Sequence, residues 1–313
     1  MEHAPTLTAS TAPAQPPPLS AELQRRFIAY IDARPQSLAA YGKGIKRLFQ
    51  WLEAEDIPHP RREDILEYRE YLKAEYAPAT VSLYMTAARL FFRWTAQEGF
   101  YPDIAERIKG AKIDRGHRKG YFTSQAVKSI ISTADRDTAT GKRDFALIAL
   151  MATGGLRCIE IARANIEDLT TQGDSTILFI QGKGKDERTD WIKIPEQTET
   201  AIRDYLATRP NTTPKDPLFT CGGNRHSEQG RLTTRSISRI CKTHFRAAGY
   251  NDSRLTAHSL RHTAATLAIL AGATLIETQE HLRHASPTTT MIYINETNKS
   301  KNPCAQQIAS AIF

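Results

Sequence analysis

From about residue 21 to residue 107 the apolar positions of the chain recur with helical spacing. Leu38, Tyr41, Ile45, Leu48 and Leu52 form one stripe with Lys43, Lys46, Arg47 and Gln50 on the opposite face, which predicts an amphipathic helix with Ser37 as its N-cap. A later helix, starting near Pro78, is apolar nearly all round. Its exceptions, Ser82, Thr86, Arg89 and Arg93, fall at i, i+4, i+7 and i+11. A narrow basic and hydroxyl stripe on an otherwise buried helix suits a phosphate backbone or base edges in a major groove, although a merely solvated stripe has the same spacing.

Beyond residue 121 the pattern is mixed. Helices are predicted near 123–134 and 141–153, followed by one hairpin near 175–194. There the strand-like Thr176-Ile-Leu-Phe-Ile180 runs into Gly182-Lys183-Gly184 and out through Trp191-Ile-Lys-Ile194, placing Lys183 at the tip. His258 to Ala271 is again helical, with Leu260, Ala264 and Leu267 on a buried face. Ile308, Ile312 and Phe313 give the last segment an apolar edge, the mark of a docking element over 304–313. The fold class expected is mainly α with a small β-hairpin or sheet: a helical bundle over 21–107, then a mixed α+β domain over 121–313.

Composition and charge refine this division. Five of the 16 prolines lie in residues 1–20 among Ala, Thr and Ser, a mixture that builds no core and predicts a disordered tail rather than a signal peptide. The longest apolar run, Phe145 to Ala152, is far short of the roughly 20 residues that span a bilayer. The four cysteines lack C-x-x-C spacing, so neither a disulfide framework nor a zinc ribbon is indicated, and reduced thiols, as in a cytoplasmic protein, are expected. Residues 1–107 carry 13 Lys+Arg against 14 Asp+Glu, whereas residues 108–313 carry 29 against 20, so the net +8 belongs to the second part. Within it, the linker from Ile108 to Gly120 holds Lys109, Lys112, Arg115, Arg118 and Lys119 against Asp114, enough to follow DNA phosphates as a strap.

The candidate chemistry lies in six polar residues of the second part: Arg157, Lys183, His258, Arg261, His284 and Tyr293. A phenol has a pKa near 10, so a tyrosine nucleophile needs a nearby base, which a histidine supplies. Charge building on phosphate oxygens is met by the paired N–H forks of two guanidiniums, and a mobile ammonium can protonate a departing alkoxide. His258 and Arg261 lie one helical turn apart and can converge on one phosphate. Singly each has a plainer account: Arg157 and Glu160 as an i,i+3 ion pair, His281 and His284 as a helix-face pair, Tyr293 as a core cap. A second H-x-x-R, His59 and Arg62, sits in a proline-flanked connection and reads as surface.

Four blocks, Thr153-Gly-Gly-Leu-Arg157-Cys-Ile-Glu160, Gly182-Lys183-Gly-Lys-Asp-Glu-Arg188, Ala257-His258-Ser-Leu-Arg261-His262-Thr263 and Leu282-Arg-His284 followed by Tyr293, resemble in order those of the tyrosine recombinase (phage integrase) family. The likeness is to its compact Xer-like two-domain members and covers nearly everything after residue 20. It implies a SAM-like core-binding domain before the catalytic domain, with Arg157 and Arg261 holding the scissile phosphate and Lys183 as general acid. It further implies His258 in proton transfer, His284 donating to a non-bridging oxygen, Tyr293 forming a 3′-phosphotyrosine, and Glu160 bracing the site. The activity implied is site-specific recombination of double-stranded DNA at paired sites, by a tetramer, through a Holliday junction, with no cofactor or metal. A topoisomerase that nicks and reseals, or a DNA-binding protein without activity, are the alternatives. One departure stands out: Arg283 occupies a position usually glycine in the family, and a non-glycine residue there favours φ < 0, which bears on where His284 is placed.

Overall fold

The computed structural model describes residues 18–112, 120–182, 187–221, 230–300 and 302–313, apart from the side chains of 296–300 and 305. The chain divides into two compact units, Met1–Gly116 and His117–Phe313. The tail expected over 1–20 lies almost wholly outside the described residues.

The first unit is built from α1 (Ala21–Tyr30), α2 (Pro35–Ala54), α3 (Arg62–Glu75) and α4 (Pro78–Gln97). Ser20 caps α1 by accepting from the Leu23 N–H at 3.4 Å. The α2 stripe forms as expected, but the helix starts earlier than Ser37. Its N-cap is Arg34 and Pro35 opens the first turn, where a missing N–H costs nothing. Helix α4 is the buried one, with Val81, Met85, Ala87, Ala88, Phe91, Phe92 and Trp94 facing inward against Phe27, Leu48, Trp51 and Leu72. Arg62, of the second H-x-x-R, donates to the Glu106 carbonyl at 2.7 Å and so pins the segment after α4.

In the second unit, α5 (Ser124–Ser132) and α6 (Ala139–Gly154) precede a short helix α7 (Cys158–Arg163) and a 3-10 turn, Ile166–Asp168. A three-stranded antiparallel sheet follows in the order β1 (Leu169–Gln172), β2 (Ser175–Ile180), β3 (Asp190–Ile194). The expected hairpin is β2 and β3, with Leu178 opposite Ile192 and Phe179 opposite Trp191. Strand β1 was not expected; its burial is weak, so it carries little alternation to read. Helices α8 (Glu196–Leu206), α9 (Thr234–Ala247), α10 (Ala257–Leu270), α11 (Leu275–Leu282), α12 (Pro287–Ser300) and α13 (Cys304–Ile312) complete the unit.

Helix α6 is the hub. Leu147, Ile148, Leu150 and Met151 are fully buried in a core shared with Ile192, Ile202, Phe245 and Leu260. A smaller cluster of Ala264, Ala265, Leu282 and Tyr293 joins α10, α11 and α12. The outer edge of α13 is bare, with Ile308, Ile312 and Phe313 exposed. No helix among the described residues is long and apolar enough to cross a membrane.

Candidate active site

The first corner of the site is made where α6 stops. Gly155 takes a left-handed conformation (φ 58°), and a Cβ there would stand 2.5 Å from the Leu282 Cδ2. Glycine is therefore favoured by the turn, and a Cβ here would also force the Leu282 side chain of α11 to shift. The chain leaves this turn extended, and Arg157 becomes the N-cap of α7. Glu160 folds back on it, accepting the Arg157 backbone N–H at 2.9 Å on Oε2 and the Arg157 Nη1 at 2.7 Å on Oε1. The expected i,i+3 pair thus exists, but it is not a surface pair: the Glu160 side chain is 1% exposed.

Arg261 lies on α10, 1% exposed. Its Nη1 donates to the Gly155 carbonyl at 2.5 Å and its Nη2 to the Leu282 carbonyl, so one guanidinium joins the α6–α7 corner to the end of α11. Burial pushes this guanidinium down to about 9, and the Arg157 cation acts in the same direction. It stays charged at neutral pH. His258, one turn earlier, is half-buried and meets His262 edge-on at 4.8 Å. The His262 ring in turn lies 5.2 Å from that of Tyr293.

The second corner follows α11. Arg283 adopts φ 55°, ψ 48° despite its side chain, so the expected preference for φ < 0 is overridden. Gln279 brackets this turn, its carbonyl accepting from the His284 N–H and its Nε2 donating to the His284 carbonyl, both at 3.1 Å. The Arg283 side chain supplies the rest, with Nη2 on Glu160 Oε2 at 3.1 Å and Nη1 on the His281 carbonyl at 2.6 Å. The His281 Nε2 is 2.9 Å from the Thr153 carbonyl. Burial alone would raise the Glu160 carboxyl; Arg283 and Arg157 outweigh it and hold the group below its ordinary value.

His284 is buried with its Nδ1 2.8 Å from the Thr290 Oγ1. Burial, reinforced by the cations of Arg261, Arg157 and Arg283, pushes its imidazole down to about 4, so it is neutral at physiological pH. Tyr293, on α12, is 3% exposed. Five of the six candidate catalytic residues therefore belong to one cluster, and Glu160 sits at its base. The sixth, Lys183, lies in the β2–β3 connection outside the described residues. The flanks of that connection are tied down, with Arg163 Nη1 donating to the Gly182 carbonyl at 3.3 Å and Arg188 Nε pairing with Asp168 Oδ1 at 3.1 Å.

Two members of the cluster were missed by sequence reasoning. His262 had a signal, the second imidazole one residue after Arg261. Arg283 registered only as a departure from glycine, because nothing local announces a partner 123 positions away.

The residues expected to meet DNA are placed differently from one another. Lys43 and Lys46 are exposed on α2, whereas Arg47 is drawn inward, bonded to the Tyr71 hydroxyl with its guanidinium 5.2 Å from the centre of that ring. On α4, Arg89 donates to Thr86 Oγ1 at 3.0 Å, Thr86 donates to the Ser82 carbonyl, and Arg93 is exposed. Gly110 passes so close to Ser82 that a Cβ would lie 2.9 Å from its Cα. Lys109 and Lys112 are exposed; Arg115, Arg118 and Lys119 lie outside the described residues.

Residues 121–300 match the phage integrase family, and residues 25–99 match the phage integrase N-terminal SAM-like domain. The chain belongs to the phage integrase family. Among its relatives are tyrosine recombinases: it is 31% identical to tyrosine recombinase XerA of Pyrococcus furiosus over 282 residues, covering 90% of this chain and 92% of that one. It is 30% identical to tyrosine recombinase XerD of Caulobacter vibrioides over 270 residues, covering 83% and 86%. The fold is similar to that of the XerH site-specific recombinase bound to a palindromic difH substrate in a post-cleavage complex, with TM-score 0.74 and 20% identity over 93% of this chain and 84% of that one. It is also similar to lambda integrase in a tetramer bound to a Holliday junction, with TM-score 0.68 and 17% identity over 87% and 76%.

Proposed function

We propose that this chain, a site-specific tyrosine recombinase, cuts each DNA strand by attack of the Tyr293 hydroxyl on a phosphodiester. The Oη–P bond forms as the P–O5′ bond breaks, leaving a 3′-phosphotyrosine and a free 5′-hydroxyl. His258 takes the phenol proton, and Lys183 supplies one to the departing 5′ oxygen. Arg157 and Arg261 hold the non-bridging oxygens as negative charge concentrates there, and neutral His284 adds an N–H donor. Attack by a 5′-hydroxyl of the partner strand then reverses the chemistry and exchanges strands. Bond energy is kept in the phosphotyrosine throughout.

The observation that carries this reading is the double anchorage of Arg261 to the Gly155 and Leu282 carbonyls. It brings the motif blocks of Arg157, of Arg261 and of His284 to one point with Tyr293 beside them. The similar fold of lambda integrase, seen as a tetramer bound to a Holliday junction, supports assembly of four copies by way of such a junction, on two sites with strand exchange in turn. The exposed apolar edge of α13 is the docking element for a neighbouring copy. Residues 21–107 form the core-binding domain, 108–120 a phosphate-following strap and 121–313 the catalytic domain; Lys43, Lys46, Arg93, Lys109 and Lys112 are the DNA contacts open to solvent, with half-buried Arg89 beside them.

Trapping covalent complexes in host DNA and sequencing what is attached gives the site, and a nicked suicide duplex of that sequence then tests the proposal on a denaturing gel. Wild-type protein accumulates the adduct, and Tyr293→Phe binds equally well but forms none. An adduct from the Phe variant would move the nucleophile elsewhere. An adduct without pairing of sites would favour a topoisomerase.

A further inference from the structure

We infer that Arg283 is a positioning residue for strand cleavage: it fastens the corner that presents His284 to the corner that presents Arg157. The inference rests on the reading above, in which those two groups handle the scissile phosphate. Three observations carry it.

First, Arg283 holds a left-handed backbone, which is strained for a side-chain-bearing residue and persists only where surroundings over-determine it. Second, its side chain is 8% exposed and spends both terminal nitrogens on named partners, Glu160 Oε2 and the His281 carbonyl. Third, those partners lead back to the first corner: Glu160 clasps Arg157 by side chain and backbone, and His281 reaches the Thr153 carbonyl. Arg261 joins the same two corners from α10. Arg283 is thus a second fastening, made from the other side of the gap. With Glu160 shared between two guanidiniums, the Arg157 fork is held in place while its carboxylate partner is only half its own.

The test uses full-length protein and a half-site suicide duplex, with affinity and the single-turnover cleavage rate measured separately. Arg283→Gly keeps the turn and removes the fastening; Arg283→Asn does the same with a residue that tolerates left-handed backbone, and decides the matter should the Gly variant not fold. The expected result is unchanged affinity with cleavage about 10- to 100-fold slower, as for a small misplacement of reacting groups. Arg283→Lys should recover part of the rate. The double variant Glu160→Gln/Arg283→Gly should cleave no more slowly than Glu160→Gln alone, because Arg283 acts through Glu160. Wild-type cleavage by the Gly and Asn variants, losses that add in the double variant, or weakened binding in step with a lowered melting temperature would each overturn the inference. Absence of an adduct with wild-type protein would instead defeat the underlying reading.

Discussion

The ring of Tyr293 lies parallel to that of His284, with centroids 6.4 Å apart and planes within 10°. Both are governed by α12: Thr290, one turn before Tyr293, holds the His284 Nδ1 at 2.8 Å. Phenol and imidazole are therefore coupled through Thr290 and Tyr293, three positions apart on one helix.

Thr290→Val tests that coupling. The substitution keeps the shape of a fully buried side chain and removes the hydroxyl, leaving a buried ring nitrogen unsatisfied at a cost of about 1–3 kcal/mol. Stability should fall by that amount in urea titration, and the cleavage rate should fall while duplex affinity holds. Unaltered cleavage kinetics would mean that the orientation of His284 is set elsewhere.

Acid stability should depend on His284. Its folded-state value of about 4 is below the roughly 6.5 of an unfolded histidine. Between these values the unfolded chain binds a proton that the folded chain does not, so the stabilisation is complete above about 6.5 and declines as pH falls toward 4. His284→Gln should flatten the drop in unfolding free energy between pH 7 and pH 5. His281, also lowered chiefly by burial, retains its own part of the slope. Identical slopes for the two proteins would contradict the assignment.

Much of this site is legible in sequence because its chemistry is concentrated in four short blocks. His258 and Arg261 share a helix face, and the Arg157–Glu160 pair follows from their spacing. What sequence hides is long-range and geometric. The Arg283–Glu160 pair joins distant positions, and a left-handed arginine defies the local preference. Arg47 reads as a solvent-facing cation from its place on the α2 wheel, yet Tyr71 of α3 draws it in. Strand β1 escaped for the opposite reason: Thr170, Thr171 and Gln172 are exposed, so no alternation marks them.

Lys183→Ala should cleave ordinary DNA very poorly and recover on a duplex whose 5′-bridging oxygen is replaced by sulfur, since a thiolate leaves without a proton. Arg157→Ala should not recover, because in the proposed mechanism it holds the non-bridging oxygens. Equal failure of both variants on the sulfur substrate would transfer the general-acid role to Lys185.

Removing residues 304–313 should leave binding to a single site intact while weakening cooperative occupation of paired sites. Ile308 and Ile312 are 59% and 68% exposed, an arrangement that gains stability only by being covered. Gel-shift titration on one-site and two-site duplexes separates the cases. Full-length behaviour of the truncated chain in both would remove α13 from assembly.

The three tryptophans are divided between the units in a way that gives the protein a built-in optical gauge. Trp51 and Trp94 are buried among aromatic rings of the first unit, whereas Trp191, on β3, is 52% exposed beside a cleft of about 460 Å³ that Arg283 and His284 also line. Red-edge excitation and a water-borne quencher select the exposed indole, so its emission reports events beside the candidate active site without a label. The two sheltered indoles report the integrity of the helical bundle in the same sample.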